Sequence, residues 1–163
     1  MELYHGTTVL NIEQVTPHYD GHEQRPYVFA TPNFASALRY VTPCKGNLYF
    51  GIENNTAIIV EKFPGAIKQT YHNISGVIYV LPPQNFQLTR LGNRTEYISH
   101  QPITPTRTIP ITNVIQKIHD AESRGLIKIY YYPNTPKNYI LYDEPLLHKI
   151  KRFIYKKFNQ IIK

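Results

Sequence analysis

Leu3-Tyr4-His5-Gly6-Thr7 sets a histidine at a strand end, directly before a glycine. The alternation of apolar and polar residues predicts a strand, and the glycine predicts the bend that closes it. At such a joint an imidazole can hydrogen-bond a ligand, and the Gly6 backbone can be approached with no side chain in the way. Thr7 adds a hydroxyl. Alone, a histidine at a strand end is more often structural than functional, bonded to a nearby backbone group. Far along the chain, Thr95-Glu96-Tyr97-Ile98-Ser99 carries a carboxylate at the start of another strand. Alone, Glu96 reads as a solvated acid at a strand edge. His18 and His22 flank Asp20, but no third metal ligand accompanies them, and a polar loop explains them better. Cys44 is the single cysteine, which excludes an internal disulfide and a cysteine-rich zinc site.

The elements that must position these residues are short. Asn11 to Pro26 is polar and turn-rich and reads as a long loop or as a weak helix followed by a loop. Tyr27 to Ala30 is a compact strand, and Thr31-Pro32 predicts the start of a helix running from Asn33 to about Val41. Leu48 to Ile52 and Thr56 to Glu61 predict a hairpin around Asn54-Asn55. Phe63-Pro64-Gly65 breaks the pattern. Gly76 to Leu81 is a continuous apolar run of strand length, hence a central strand stopped by Pro82-Pro83. Arg90 to Arg94 reads as an exposed loop, Glu96 to Ser99 as a strand, and the stretch holding Pro102, Pro105 and Pro110 as extended chain. Val114, Ile115 and Ile118 predict a helix from Ile111 to about Arg124, stopped at Gly125. Leu126 to Tyr132 is a tyrosine-rich strand. From Glu144 to Lys163 the spacing predicts an amphipathic helix, with Leu147, Ile150, Ile154, Phe158 and Ile161 on one face.

The 163 residues fit one α+β domain, and 42% hydrophobic residues support a folded core. Tyrosine, at 14 residues, favours strands over a helical bundle. The formal charge is +7, and residues 149–163 hold Lys149, Lys151, Arg152, Lys156, Lys157 and Lys163 with no acid. The basicity therefore belongs to the C-terminal stretch and leaves the rest of the chain nearly neutral. No apolar run is long enough to span a membrane, and no secretory leader is evident. A cytoplasmic protein without a membrane partner is the expectation, consistent with the cysteine content.

Three stretches, in order, resemble the motifs of the ADP-ribosyltransferases of the diphtheria-toxin and poly(ADP-ribose) polymerase branch. Leu3-Tyr4-His5-Gly6-Thr7 looks like the first motif, a His-Gly-Ser or His-Gly-Thr strand end. Val28-Phe29-Ala30, followed by a polar turn and a helix ending in Tyr40, looks like the second. Thr95-Glu96-Tyr97-Ile98 looks like the third, the strand start that supplies the catalytic glutamate. The resemblance covers about residues 1–110. It implies split antiparallel sheets flanked by short helices, with the basic helix at the C-terminus. With the first motif beginning at residue 3, no regulatory or targeting domain is expected before it.

The resemblance implies an NAD-dependent mono-ADP-ribosyltransferase, with NAD as substrate and no metal. Cleaving the nicotinamide–ribose bond develops oxocarbenium character, which a carboxylate at the ribose stabilises. That role falls to Glu96. His5 would hydrogen-bond the adenosine ribose, the Gly6 backbone would receive the nicotinamide carboxamide, and Thr7 would add a contact. Tyr40 would stack on nicotinamide, and Val28 and Phe29 would line the pocket. The chain departs from the family pattern at two places. Val28 occupies the second-motif tyrosine position, so either one nicotinamide wall is aliphatic or the correspondence shifts by a residue toward Tyr27. Arg94, two residues before Glu96, stands where the arginine-modifying branch has glutamate and the Rho-modifying branch glutamine, so neither target class is supported. The acceptor is a protein or a nucleic acid, the latter suggested by the basic C-terminal stretch. An NAD-consuming RNA 2′-phosphotransferase and a catalytically inactive binding module on the same fold remain the alternatives.

Overall fold

A computed structural model describes residues 1–19, 25–43, 46–91 and 94–139. The helix expected over 144–163 lies outside these residues, as do Asp20, His22 and Cys44. The strands in chain order are β1 (Leu3–Thr7), β2 (Val28–Ala30), β3 (Leu48–Glu53), β4 (Thr56–Glu61) and β5 (Gly76–Leu81). They continue with β6 (Gln87–Leu91), β7 (Arg94–Ser99), β8 (Arg107–Ile111) and β9 (Ile127–Tyr130). The helices are α1 (Phe34–Arg39), α2 (Ala66–Tyr71) and α3 (Val114–Ser123), and a 3-10 turn covers Lys137–Tyr139. The architecture is α+β, with three small sheets ordered β1-β5-β8, β2-β7-β6 and β3-β4-β9. Among the described pairings only β4–β9 is parallel.

β5 is the central strand the sequence predicts, and every residue of it is buried. Its alternation feeds two cores. Ile78 joins Leu38, Ile59, Tyr71, Ile118 and Ile127 in one cluster beneath the three helices. Val77, Tyr79 and Leu81 join Leu3, Val28 and Ala30 in the other. The 48–61 hairpin also forms as expected, with Asn54 and Asn55 at φ 47° and 64°, the left-handed pair a tight two-residue turn requires.

Several elements differ from the expectation for identifiable reasons. Helix α1 is capped by Asn33, whose Oδ1 accepts from Ser36 N–H at 3.0 Å. Thr31 does not start the helix because its carbonyl, which a cap would offer to the first turn, accepts from Tyr4 N–H at 2.8 Å, while its own N–H donates to Tyr4 O at 3.0 Å. The expected loop at Arg90–Arg94 instead joins two strands, since β6 runs to Leu91 and β7 starts at Arg94. The proline-punctuated stretch contains an edge strand, β8, and the following helix begins only after Asn113 caps Gln116 N–H. Pro110 lies opposite Val77. Val80 O accepts from Thr106 on the β8 side, so even-numbered β5 residues bond toward β8 and Val77 bonds toward β1. The Pro110 nitrogen therefore faces away from β5, where no ladder bond is lost.

The same alternation fixes what β1 offers. Leu3, His5 and Thr7 bond to Leu81, Tyr79 and Val77, while Tyr4 bonds in the opposite direction to Thr31. Gly6 shares the orientation of Tyr4, so its N–H and C=O point away from β5, toward the side where β2 diverges. The Tyr4–Thr31 bridge ties the sheet of β1 to the chain just after β2.

Candidate active site

The residues singled out from the sequence divide between a connected wall and the core. On β2 and β7, cross-strand partners Phe29 and Ile98 share one face, as do Val28 with Ser99 and Ala30 with Tyr97 the other. Glu96, two residues before Ile98, projects on the Phe29 face. Its side chain is 4% exposed, and its Oε1 accepts a hydrogen bond of 3.1 Å from the Tyr40 hydroxyl. Tyr40 is the C-cap of α1, so the helix delivers it to the strand-borne carboxylate across a gap of 56 residues. The Phe29 ring meets the Tyr40 ring edge-on at 5.1 Å. His5 Nδ1 lies 2.8 Å from Phe29 O. His5, Phe29, Tyr40 and Glu96 are thus linked contact by contact.

The His5 bond defines its chemistry. A carbonyl only accepts, so Nδ1 carries the hydrogen, and the neutral ring leaves Nε2 as an acceptor. Burial pushes the His5 pKa below its ordinary value, partly opposed by the Phe29 carbonyl, which favours the charged ring. His5 is therefore a neutral acceptor at pH 7.

Three predicted residues have structural employment. Val28 is fully buried in the second core with Leu3 and Tyr79, on the face of β2 opposite Phe29. It cannot be a wall of the same cleft. By alternation Tyr27 shares the Phe29 face, in line with the one-residue shift the sequence left open. Thr7 Oγ1 accepts from Val9 N–H at 3.2 Å and tightens the turn after β1. At Gly6 a Cβ would collide with Ala37 O and reach 3.2 Å from Val41 Cγ2, so the end of α1 lies directly against this strand. Gly6→Ala is expected to cost about 2 kcal/mol, because backbone yields less readily than a side chain. Thermal denaturation should show Tm falling by roughly 4–8 °C. An unchanged Tm would mean that α1 does not rest on β1 this closely.

Sequence reasoning missed Arg39, Phe50 and Ser36. Arg39 is fully buried, its guanidinium 5.4 Å from the Tyr40 ring centre and 5.2 Å from that of Phe50. Phe50 stands edge-on to Tyr40 at 5.5 Å and extends the aromatic wall. Ser36, one turn before Tyr40, is buried with an Oγ that has no hydrogen-bond partner among the described residues. Orphaned hydroxyls of this kind are commonly satisfied by a ligand or water. In the sequence Arg39 stands out only as a cation inside an otherwise apolar Ala37-Leu38-Arg39-Tyr40-Val41 run, which marks it as unusual without giving its partners.

A separate cavity of about 330 Å³ is bordered by Glu61, Lys68, His72, His119 and Tyr131 and contains none of these residues. The Glu61 carboxylate there accepts from Ile67 N–H at 3.0 Å and Tyr132 N–H at 3.2 Å, which marks it as a structural acid. No group of three or more His, Cys, Asp or Glu side chains suited to a metal ion occurs among the described residues. No described helix is long and apolar enough to cross a membrane. Comparison of the chain with family models, with curated proteins and with solved structures finds no match.

Proposed function

We propose that the chain is an NAD-dependent mono-ADP-ribosyltransferase with an ADP-ribosyltransferase-like split-sheet fold. The observation that carries this reading is the Tyr40 hydroxyl donated to the buried Glu96 carboxylate. It joins the second and third motif stretches in one site, and the His5–Phe29 contact adds the first. The Tyr4–Thr31 bridge, which ties β1 to the chain just after β2, supports placing the neighbouring Gly6 backbone at the same site.

In this reading NAD lies against Tyr40 with its nicotinamide ribose at Glu96. The bond from C1′ to the nicotinamide nitrogen breaks, and nicotinamide leaves with the electron pair as a neutral base. The C1′ cation that develops is stabilised by the Glu96 carboxylate in a partly dry environment, where such an interaction is strong. A nucleophilic atom of a protein or nucleic-acid acceptor then bonds to C1′ and gives up its proton. Water in that place yields free ADP-ribose. His5 Nε2 accepts from a hydroxyl of the adenosine ribose, and the Gly6 N–H and C=O bracket the carboxamide.

Incubation with NAD and measurement of released nicotinamide tests the reading directly. Release supports the transferase. Neither release nor NAD binding would favour a binding module instead. His5→Ala is expected to raise the KM for NAD several-fold, with a smaller loss in kcat than loss of the Glu96 charge causes. An unchanged KM would remove His5 from the ribose.

A further inference from the structure

Tyr40 follows Arg39 at the end of α1, and Arg39 ties that end to the β3–β4 hairpin. Its Nη1 donates to Gly51 O at 2.7 Å and Ile58 O at 2.9 Å. Those two residues are direct cross-strand partners in the β3–β4 hairpin, so one guanidinium nitrogen grips both strands. Its Nε donates back to Ser36 O at 3.4 Å, within α1. From the other side, the Tyr71 hydroxyl of α2 donates to Arg39 O at 2.8 Å. The main chain of Arg39 and its side-chain tip are therefore both tied, and the next residue is Tyr40. The guanidinium also lies against the Tyr40 and Phe50 rings, which confines the rotation of the tyrosine.

We propose that Arg39 is a positioning residue, which fixes the Tyr40 ring and through its hydroxyl sets the Glu96 carboxylate. A buried arginine used only to join α1 to the hairpin would need the backbone acceptors alone. The contact with both aromatic rings of the wall assigns it the second task. Lysine is not an adequate substitute, because its single ammonium cannot hold two carbonyls, the helix and two ring faces in the fixed geometry of a planar fork. The inference deepens the proposed function, and it can be tested without NAD turnover.

The test is the titration of the Glu96 side-chain carboxyl in the full chain, followed by carbon-13 NMR and assigned by the signal lost in Glu96→Gln. Tyr40→Phe removes the donor to the carboxylate, and the midpoint should rise by about one unit. Arg39→Lys keeps the charge, and it should still raise the midpoint by roughly half a unit or more as the hydroxyl drifts. In the double variant Arg39→Lys/Tyr40→Phe, the midpoint should match that of Tyr40→Phe alone, since both act through one hydroxyl. With NAD, Arg39→Lys should lower kcat about tenfold with KM within roughly twofold. An unchanged Glu96 midpoint in Arg39→Lys, or a shift that adds in full to that of Tyr40→Phe, would overturn the proposal. Should Arg39→Lys fail to fold, Tyr71→Phe loosens the same residue by removing one hydroxyl. The same non-additive pattern is then expected, and a Glu96 titration indifferent to Tyr71→Phe overturns the idea. Absent turnover with the titration pattern intact would instead count against the transferase reading alone.

Discussion

Glu96→Gln should reduce nicotinamide release from NAD by about 10³-fold, leaving the KM for NAD near its wild-type value. The variant keeps the size of the side chain and an oxygen able to accept from Tyr40, so the 3.1 Å hydrogen bond has a replacement. It loses the negative charge. In bound NAD the positive charge sits on the pyridinium ring, and it moves onto the ribose beside Glu96 as the oxocarbenium-like state forms, so removal of the carboxylate falls mainly on kcat. A factor of 10³ corresponds to about 4 kcal/mol of transition-state stabilisation, a plausible demand on one carboxylate that is 4% exposed. The checks are nicotinamide release over a range of NAD concentrations and thermal denaturation of both proteins. If Glu96→Gln turned over NAD at the wild-type rate, the charge that stabilises the ribose would have to come from another side chain.

The largest expected effect on stability is at Arg39. Arg39→Ala should cost about 4 kcal/mol, with Tm falling by roughly 8–16 °C. Two of its bonds, at 2.7 and 2.9 Å, join helix α1 to the hairpin, and hydrogen bonds from a charged donor contribute more than neutral ones. Truncation also removes the guanidinium from beside the Tyr40 and Phe50 rings and leaves a void there. Urea denaturation of wild type and variant, with the slope against urea compared, measures the difference. A loss below about 1 kcal/mol would show that the aromatic wall and Tyr71 hold α1 without the guanidinium.

How much of this could be read from the sequence depended on whether each signal was local. Asn54-Asn55 specified its own turn, and the apolar run of β5 specified a strand buried on both faces. Helix α2 gave no such signal. It is a single short stretch capped by Gly65, which is left-handed at φ 76° and supplies no side-chain cap, so tertiary packing of Ile67 and Tyr71 creates it. β8 was hidden behind its prolines, since a proline argues against a strand unless one knows that its nitrogen faces an open edge. At the candidate site the motif residues carried their element types with them, which is why His5, Phe29, Tyr40 and Glu96 could be singled out as a group, and the structure brings them into contact. Phe50 and Arg39 belong to the same wall only because α1 crosses the β3–β4 hairpin, and no spacing within the chain encodes that crossing. Val28 was misplaced for a simpler reason. On a strand, neighbouring residues face opposite ways, and a one-residue shift moves a wall position into the core.

Pro110 has a further consequence, for self-association. An exposed strand edge invites another chain to pair with it, and among the described residues β8 is an edge of the sheet that carries β1. The proline nitrogen faces that edge and offers no hydrogen to an incoming strand. Arg107, whose side chain is 57% exposed and bonded to Glu2, places a charge near the same border. Addition of a second chain is therefore disfavoured at Pro110, on the border of the sheet opposite the strand that bears His5 and Gly6.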